Sequence, residues 1–178
     1  MENKGLVRIV VIGVIGLIVL IFFSSSMFIT IKPGERGVIF RKFTSGLDKE
    51  HIFPPGFTII APWNEMFIYQ VKDQIQEETV DVLDMDGLTL HIDVTVRFYP
   101  VYNKIGELQD QFQGQYIDVV VIPEVRSSVR RIMGRYSADE IYSTKRAEVE
   151  KTIVEETEKV LKENYIEMKA LLLRSITL

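Results

Sequence analysis

The chain has 178 residues, a formal net charge of −4, no cysteine and two histidines, His51 and His91. This excludes disulfides, thiolate nucleophiles, cysteine-ligated metals and a multi-histidine metal site, and the acidic balance argues against a nucleic-acid binder, which needs a basic stripe. The absence of cysteine is compatible with an oxidising compartment without demonstrating one.

Residues 1–8 are a short N-terminal tail containing Lys4 and Arg8. From Ile9 through Phe23 to Ile29 the chain is almost unbroken in apolar character and carries no charge. As a helix this run is about 31 Å long at roughly 1.5 Å per residue, the thickness of a bilayer's hydrocarbon core. Its aliphatic and aromatic residues contribute about −4 to −8 kcal/mol of insertion free energy, at about −0.3 to −0.6 each. A single membrane-spanning helix over 9–29 is therefore expected. The competing reading is a cleaved signal peptide, with Lys4 and Arg8 as its basic region, Ile9 to Phe23 as its apolar region, and Ser24 and Ser26 before the cut. The return of apolar residues at Met27-Phe28-Ile29 speaks against it. For orientation, Lys32, Arg36, Arg41 and Lys42 after the run outnumber Lys4 and Arg8 before it, which places the domain in the cytoplasm by the positive-inside count. A very short tail commonly stays inside regardless, so charge leaves both orientations open.

Residues 30–100 read as β-rich. Leu88, Leu90, Ile92, Val94, Val96 and Phe98 alternate with Thr89, His91, Asp93, Thr95, Arg97 and Tyr99. That period of two predicts a long strand with one buried and one wet face. Thr79 to Val82 is a strand leading into it, with Asp86-Gly87 as the hairpin turn that needs positive φ. Shorter strands are expected at Gly37–Phe40, Phe57–Ile60 and Met66–Val71, punctuated by Pro54, Pro55, Gly56 and Pro62. Pro100 closes the long strand, because it cannot donate to the ladder.

Residues 101–178 turn helical. Val125, Val129, Ile132 and Met133 form one apolar stripe, with Arg126, Arg130, Arg131 and Arg135 off it and Gly134 as a stop. Ser137 with Glu140 is a capping-box signature. A longer helix runs from about Ser143 to Asn164, with Val149, Ile153, Val160 and Leu161 on its apolar side. Glu155 with Lys159 and Glu158 with Lys162 are expected as i,i+4 pairs. Met168 to Leu178 reads as a last strand, and the whole is an α+β domain.

Four features invite chemistry. Val82 to Gly87 half-resembles a calcium loop, but Val82 stands where the first carboxylate belongs and Asp93 where a bidentate glutamate belongs; a hairpin turn is the better reading. His91 near Asp93 suggests a base and its orienting acid, yet both face outward on a strand with no nucleophile supplied. Arg126, Arg130, Arg131 and Arg135 suit lipid phosphates or an acidic partner, or else pair with the glutamate-rich helix that follows. Gly13 and Gly16 are three apart, which is not the four-residue dimer motif. No catalytic constellation, metal site or cofactor site emerges.

The tether between Ile29 and Pro33 spans at most about 3.3–3.6 Å per residue, which keeps the first strands near the bilayer. Phe53, Phe57 and Trp63, beside prolines in loops, are candidates for the membrane interface as well as for the domain's own core. Glu155, Glu158, Lys159 and Lys162 are candidates for lateral contacts between subunits.

Pro33-Gly34-Glu35-Arg36-Gly37-Val38, placed just after an apolar run, resembles the opening of the stomatin/prohibitin/flotillin/HflK-C (SPFH, or band 7) domain. Pro55-Gly56-Phe57 followed by Ala61-Pro62-Trp63 is similar to that family's "Pro-Gly-x-His-Phe … Pro-Trp" segment. Arg97-Phe98-Tyr99-Pro100 ends the long strand as in prohibitins, and Ile122 to Val129 with Ser137 to Arg146 looks specifically like prohibitin. The resemblance runs from the anchor to Leu178. It implies a transmembrane helix followed by an SPFH domain, β-rich first and α/β second. It further implies a non-enzymatic scaffold without cofactors, assembling with itself or a paralogue into a large ring or cage that organises a membrane patch and sequesters a membrane AAA protease. The setting so implied is a bacterial inner membrane, domain in the periplasm, or a mitochondrial inner membrane. Such chains continue into a C-terminal coiled coil, expected beyond Leu178. The rival functions are a monomeric membrane-tethered adaptor and a membrane-tethered hydrolase, for which the sequence supplies no nucleophile–base pair.

Overall fold

A computed structural model describes residues 10–16, 27–143 and 145–177. Its eight strands form three antiparallel sheets. β1 (Phe28–Ile31) pairs with β4 (Gly56–Ile59) as a two-stranded ribbon; β3 (Gly46–Phe53), β2 (Glu35–Arg41) and β5 (Glu65–Gln70) form a second sheet. β6 (Gln74–Leu83), β7 (Thr89–Pro100) and β8 (Ile166–Thr177) form the third. The helices of the domain are α1 (Ile105–Phe112), α2 (Ile122–Met133), α3 (Ala138–Tyr142) and α4 (Arg146–Glu163).

The third sheet carries the main core. Leu90, Ile92, Val94, Val96 and Phe98 of β7 are buried, and α2 and α4 lie over them and against each other. The expected stripe of α2 is buried in full, and Val149, Ile153 and Leu161 of α4 face the same core. Val160 is only half-buried, while Thr157 takes a fully buried place and satisfies its hydroxyl by donating to the Ile153 carbonyl at 2.7 Å. Ser137 caps α3 through the expected reciprocal box with Glu140.

α2 is preceded without a break by one wide helical turn, Ile117–Val121, in which the Ile122 amide donates to the Ile117 carbonyl. The extra residue lets Pro123 enter a continuous helix, since the widened turn relieves both its missing N–H and its ring's clash with the preceding turn. α1 crosses β3 closely because Gly106 has no side chain: a Cβ there would lie 2.6 Å from the Lys49 Cα and carbonyl oxygen. The two halves are sewn together by Lys49 Nζ to Asp110 at 2.5 Å and by Tyr69 to Gln109, also at 2.5 Å.

Several expectations are corrected. Phe28 and Ile29 do not end a membrane helix but open β1, where Ile29 sits opposite Thr58; an apolar run does not reveal where a helix gives way to an apolar strand. The strand before the hairpin turn is ten residues long, not four; its first half, Gln74 to Glu78, has one apolar residue, Ile75, and that one is exposed, so no alternation marks it. Glu155 approaches Lys151 at 3.7 Å instead of Lys159, and among the described residues Glu158 and Lys162 form no ion pair.

Candidate membrane-facing site

The chain enters the domain at Met27, whose carbonyl accepts the Ile60 amide at 2.9 Å and so clamps the start of β1 to the end of β4. In this ribbon Phe28 lies opposite Ile59, and the Phe28 and Phe57 rings stack at 5.7 Å with 19° between planes. Two residues beyond Ile60 the chain turns through Pro62 and Trp63, and the Trp63 ring meets Phe43 at 6.0 Å. Phe43 comes from the turn joining β2 to β3. Register explains the meeting: Phe40 is opposite both Leu47 and Glu65, so the two turns lie at one end of the second sheet, while β5 finishes at Gln70 opposite Glu35, the end from which β6 departs.

The two aromatic pairs and Ile59 are uncovered, with 52% of Phe28, 65% of Phe57, 59% of Ile59, 78% of Phe43 and 49% of Trp63 exposed. Exposed apolar groups clustered in this way mark an interaction surface. Arg41 and Lys42 immediately precede Phe43, Arg41 being held by Asp48 at 2.9 Å. Of the residues expected at an interface, Phe57 and Trp63 are exposed here, whereas Phe53 is half-buried, its ring edge-on to His51 at 4.6 Å. Phe28, Phe43 and Ile59 were not singled out by sequence. Phe28 is hidden inside the apolar run, and Phe43 sits in a polar turn with no periodicity to mark it.

The ribbon is held to the second sheet through Gly37. A Cβ there would fall 2.6 Å from Met66 Sδ and 2.8 Å from Ile31 Cδ1, so the absent side chain is what lets buried Ile31 pack. The expected anchor lies mostly outside the described residues, Ile9 and Phe23 included. Residues 10–16 of it are helical, with Val10, Val11, Ile12, Val14 and Ile15 exposed. Among the described residues, no helix is long and apolar enough to cross a membrane.

The other expected contact residues lie on the far half. Arg126 grips Glu78 of β6 through Nε and a terminal nitrogen at 2.9 and 2.6 Å. Arg130 donates to the Asp81 carbonyl at 3.2 Å, and only Arg131 reaches the glutamate-rich helix, at 2.6 Å from Glu156. Among the described residues Arg130 and Arg135 have no carboxylate partner. Glu155, Glu158, Lys159 and Lys162 are all exposed on α4. His91 pairs with Asp81 at 2.7 Å, not with Asp93, whose carboxylate accepts the hydroxyls of Thr79 and Ser175. His91 stands opposite Thr177 of β8, and among the described residues no group is arranged to hold a metal ion.

Residues 29–178 match the SPFH domain / Band 7 family. No curated protein matches the chain.

Proposed function

Because the chain belongs to the SPFH domain / Band 7 family, whose members generally associate with membranes and oligomerise, we propose that it is a non-enzymatic membrane scaffold of the prohibitin type. Residues 9–27 cross the bilayer once, and the aromatic end of the domain rests in the interface beside them. Copies gather into a ring or cage that organises the enclosed membrane and holds a membrane AAA protease. One observation carries this reading: Phe28, Phe57, Ile59, Phe43 and Trp63 are exposed together at the end where the apolar run joins the domain. Withdrawing a phenylalanine fully from water contributes about 1.5–3 kcal/mol, so even partial immersion of these rings supplements a single helix. Lys42 and Arg41 add attraction to anionic headgroups of about 1 kcal/mol each near the surface.

Trp63 is the only tryptophan, so its emission reports this end alone. In vesicles of lipids brominated at successive depths, quenching is expected to be strongest for the shallowest bromines. Emission indifferent to bromine at every depth would remove the interface from the proposal.

A further inference from the structure

We propose that neighbouring copies meet head to tail, the arginine-lined groove of α2 in one copy receiving the outer flank of α4 and β8 in the next. This rests on the self-association reading and names its seam. The groove is formed by Pro123, Arg126, Ser127, Arg130 and Arg131 along the outer face of α2, with Arg126 and Arg130 held on β6 and Arg131 on α4. The flank where α4 meets the edge strand β8 presents Ala147 and Val154.

Charge gives the occupant. α2 carries three arginines against one glutamate, and α4 carries six glutamates against four bases. Inside one copy these helices already join through Arg131 and Glu156 at 2.6 Å. A row of copies side by side repeats that junction between molecules, where Arg130 still lacks a carboxylate among the described residues. The contact uses two different surfaces, so it is heterologous, and heterologous contacts close into rings when the rotation permits.

Strand-to-strand pairing of the sheet edges is a poor alternative. β8 is an edge strand, and its register against β7 skips at two places, between Ala170 and Met168 and between Ser175 and Leu173. The residues bulged out are Lys169 and Arg174, and a bulge carrying a cation is a standard block to edge pairing. A lipid surface is also a poor occupant. Arg130 bonds at Asp81, seven residues along β6 from Gln74, or roughly 23 Å at about 3.3 Å per residue. Gln74 itself lies at the end of the second sheet away from Trp63, so the chain reaches the arginines from the end opposite the aromatic one.

The chain has no native cysteine, which makes disulfide trapping clean. Ser127→Cys and Val154→Cys are introduced into the full chain in membranes and oxidised. Val154 sits beside Leu171 to Leu173 of β8, which pair through β7 level with Glu77 and Glu78, and Arg126 grips Glu78, so the two sites are at matching height. The double variant is expected to give a ladder of covalent dimers, trimers and higher species, either single variant to stay monomeric, and Arg130→Glu added to the double variant to weaken the ladder severalfold. Three results overturn the seam: dimers from Ser127→Cys alone, which mean a two-fold contact; no ladder although an amine-reactive cross-linker yields large species, which leaves self-association standing; and no ladder together with loss of anionic-vesicle binding in the Arg130→Glu chain, which assigns the groove to lipid. Monomers with both reagents would overturn the self-association reading as well.

Discussion

The Ala138 amide donates to Asp84 Oδ2 at 2.9 Å, tying the first turn of α3 to the tip of the β6–β7 hairpin fifty-four residues earlier in the chain. The other carboxylate oxygen accepts the amides of Asp86 and Leu88 at 2.9 and 2.8 Å and shapes the turn in which Gly87 takes φ of 83°. Burial disfavours the charge, but the amides of Leu88, Ala138, Asp86 and Gly87 together outweigh it and hold the carboxyl below its ordinary value.

Folding therefore lowers this carboxyl's pKa. Its stabilisation is complete above the unfolded-state value and is lost as pH falls through the folded one. Asp84→Ala is expected to lower the melting temperature at neutral pH by several degrees and to flatten the acid limb of the stability profile. Asp84→Asn keeps an acceptor but no charge and is expected to fall between. A melting temperature unchanged by Asp84→Ala from pH 4 to 7 would show that the latch carries no stability.

Gly106 against Lys49 provides a steric test of how the halves join. Gly106→Ala places a methyl 2.6 Å from backbone atoms, which cannot yield as a flexible side chain does. The expected cost is about 1–3 kcal/mol, the range for overpacking, read from denaturant midpoints at unchanged slope. Gly134→Ala is the control, its nearest contact being 3.2 Å, and is expected to cost less.

Tyr69 joins the halves by a different means. Burial, aided by neighbouring Tyr116, pushes its phenol up to about 12, and its hydroxyl donates to Gln109. A raised folded value means the contribution is complete below the ordinary tyrosine pKa and is lost as pH rises through about 12. In an absorbance titration Tyr69→Phe is expected to remove one late-ionising tyrosine. At neutral pH the variant is expected to cost about 1–3 kcal/mol, since Gln109 is left buried without its donor.

The parts legible in sequence are those where burial repeats with a fixed period. β7 alternates over twelve residues, and the α2 stripe recurs at helical spacing, because each packs one regular face on a single core. β3 has no such face: Gly46 to Phe53 is half-buried or exposed throughout and is held by pairing to β2 across a register shift. In α1 the apolar pattern is thin because two of its four buried residues, Gly106 and Gln109, are buried for reasons unrelated to apolarity, one for close approach and one to satisfy Tyr69. At the aromatic end, Phe57 and Trp63 stood out as single residues beside prolines. Their partners Phe28 and Phe43 are defined by strand register, which no local pattern encodes.

The exposed aromatic end separates membrane contact from stability. Phe57→Asp and Ile59→Asp replace side chains that are mostly in water, so the melting temperature of the domain is expected to change little, by less than surface substitutions usually cost, about 0.5 kcal/mol. Depth-dependent quenching of Trp63 is expected to fall in both. Loss of folding in these variants would mean that the ribbon is core and not contact surface.

The charged face of α4 sets the last expectation. Glu155 is tied only loosely to Lys151, and Glu158 has no ion-pair partner among the described residues. Both are exposed, so neither contributes appreciably to the fold of one copy, whereas a neighbour's arginines would find them accessible. Reversing both to lysine is expected to leave thermal unfolding within about 0.5 kcal/mol and to shift the detergent-solubilised protein towards smaller species by light scattering. Raising salt from 50 to 500 mM is expected to shift the unaltered protein in the same direction and the reversed variant much less, because exposed charge pairs weaken as the screening length shrinks. Large species that survive both the reversal and the salt would place the contact between copies away from this helix.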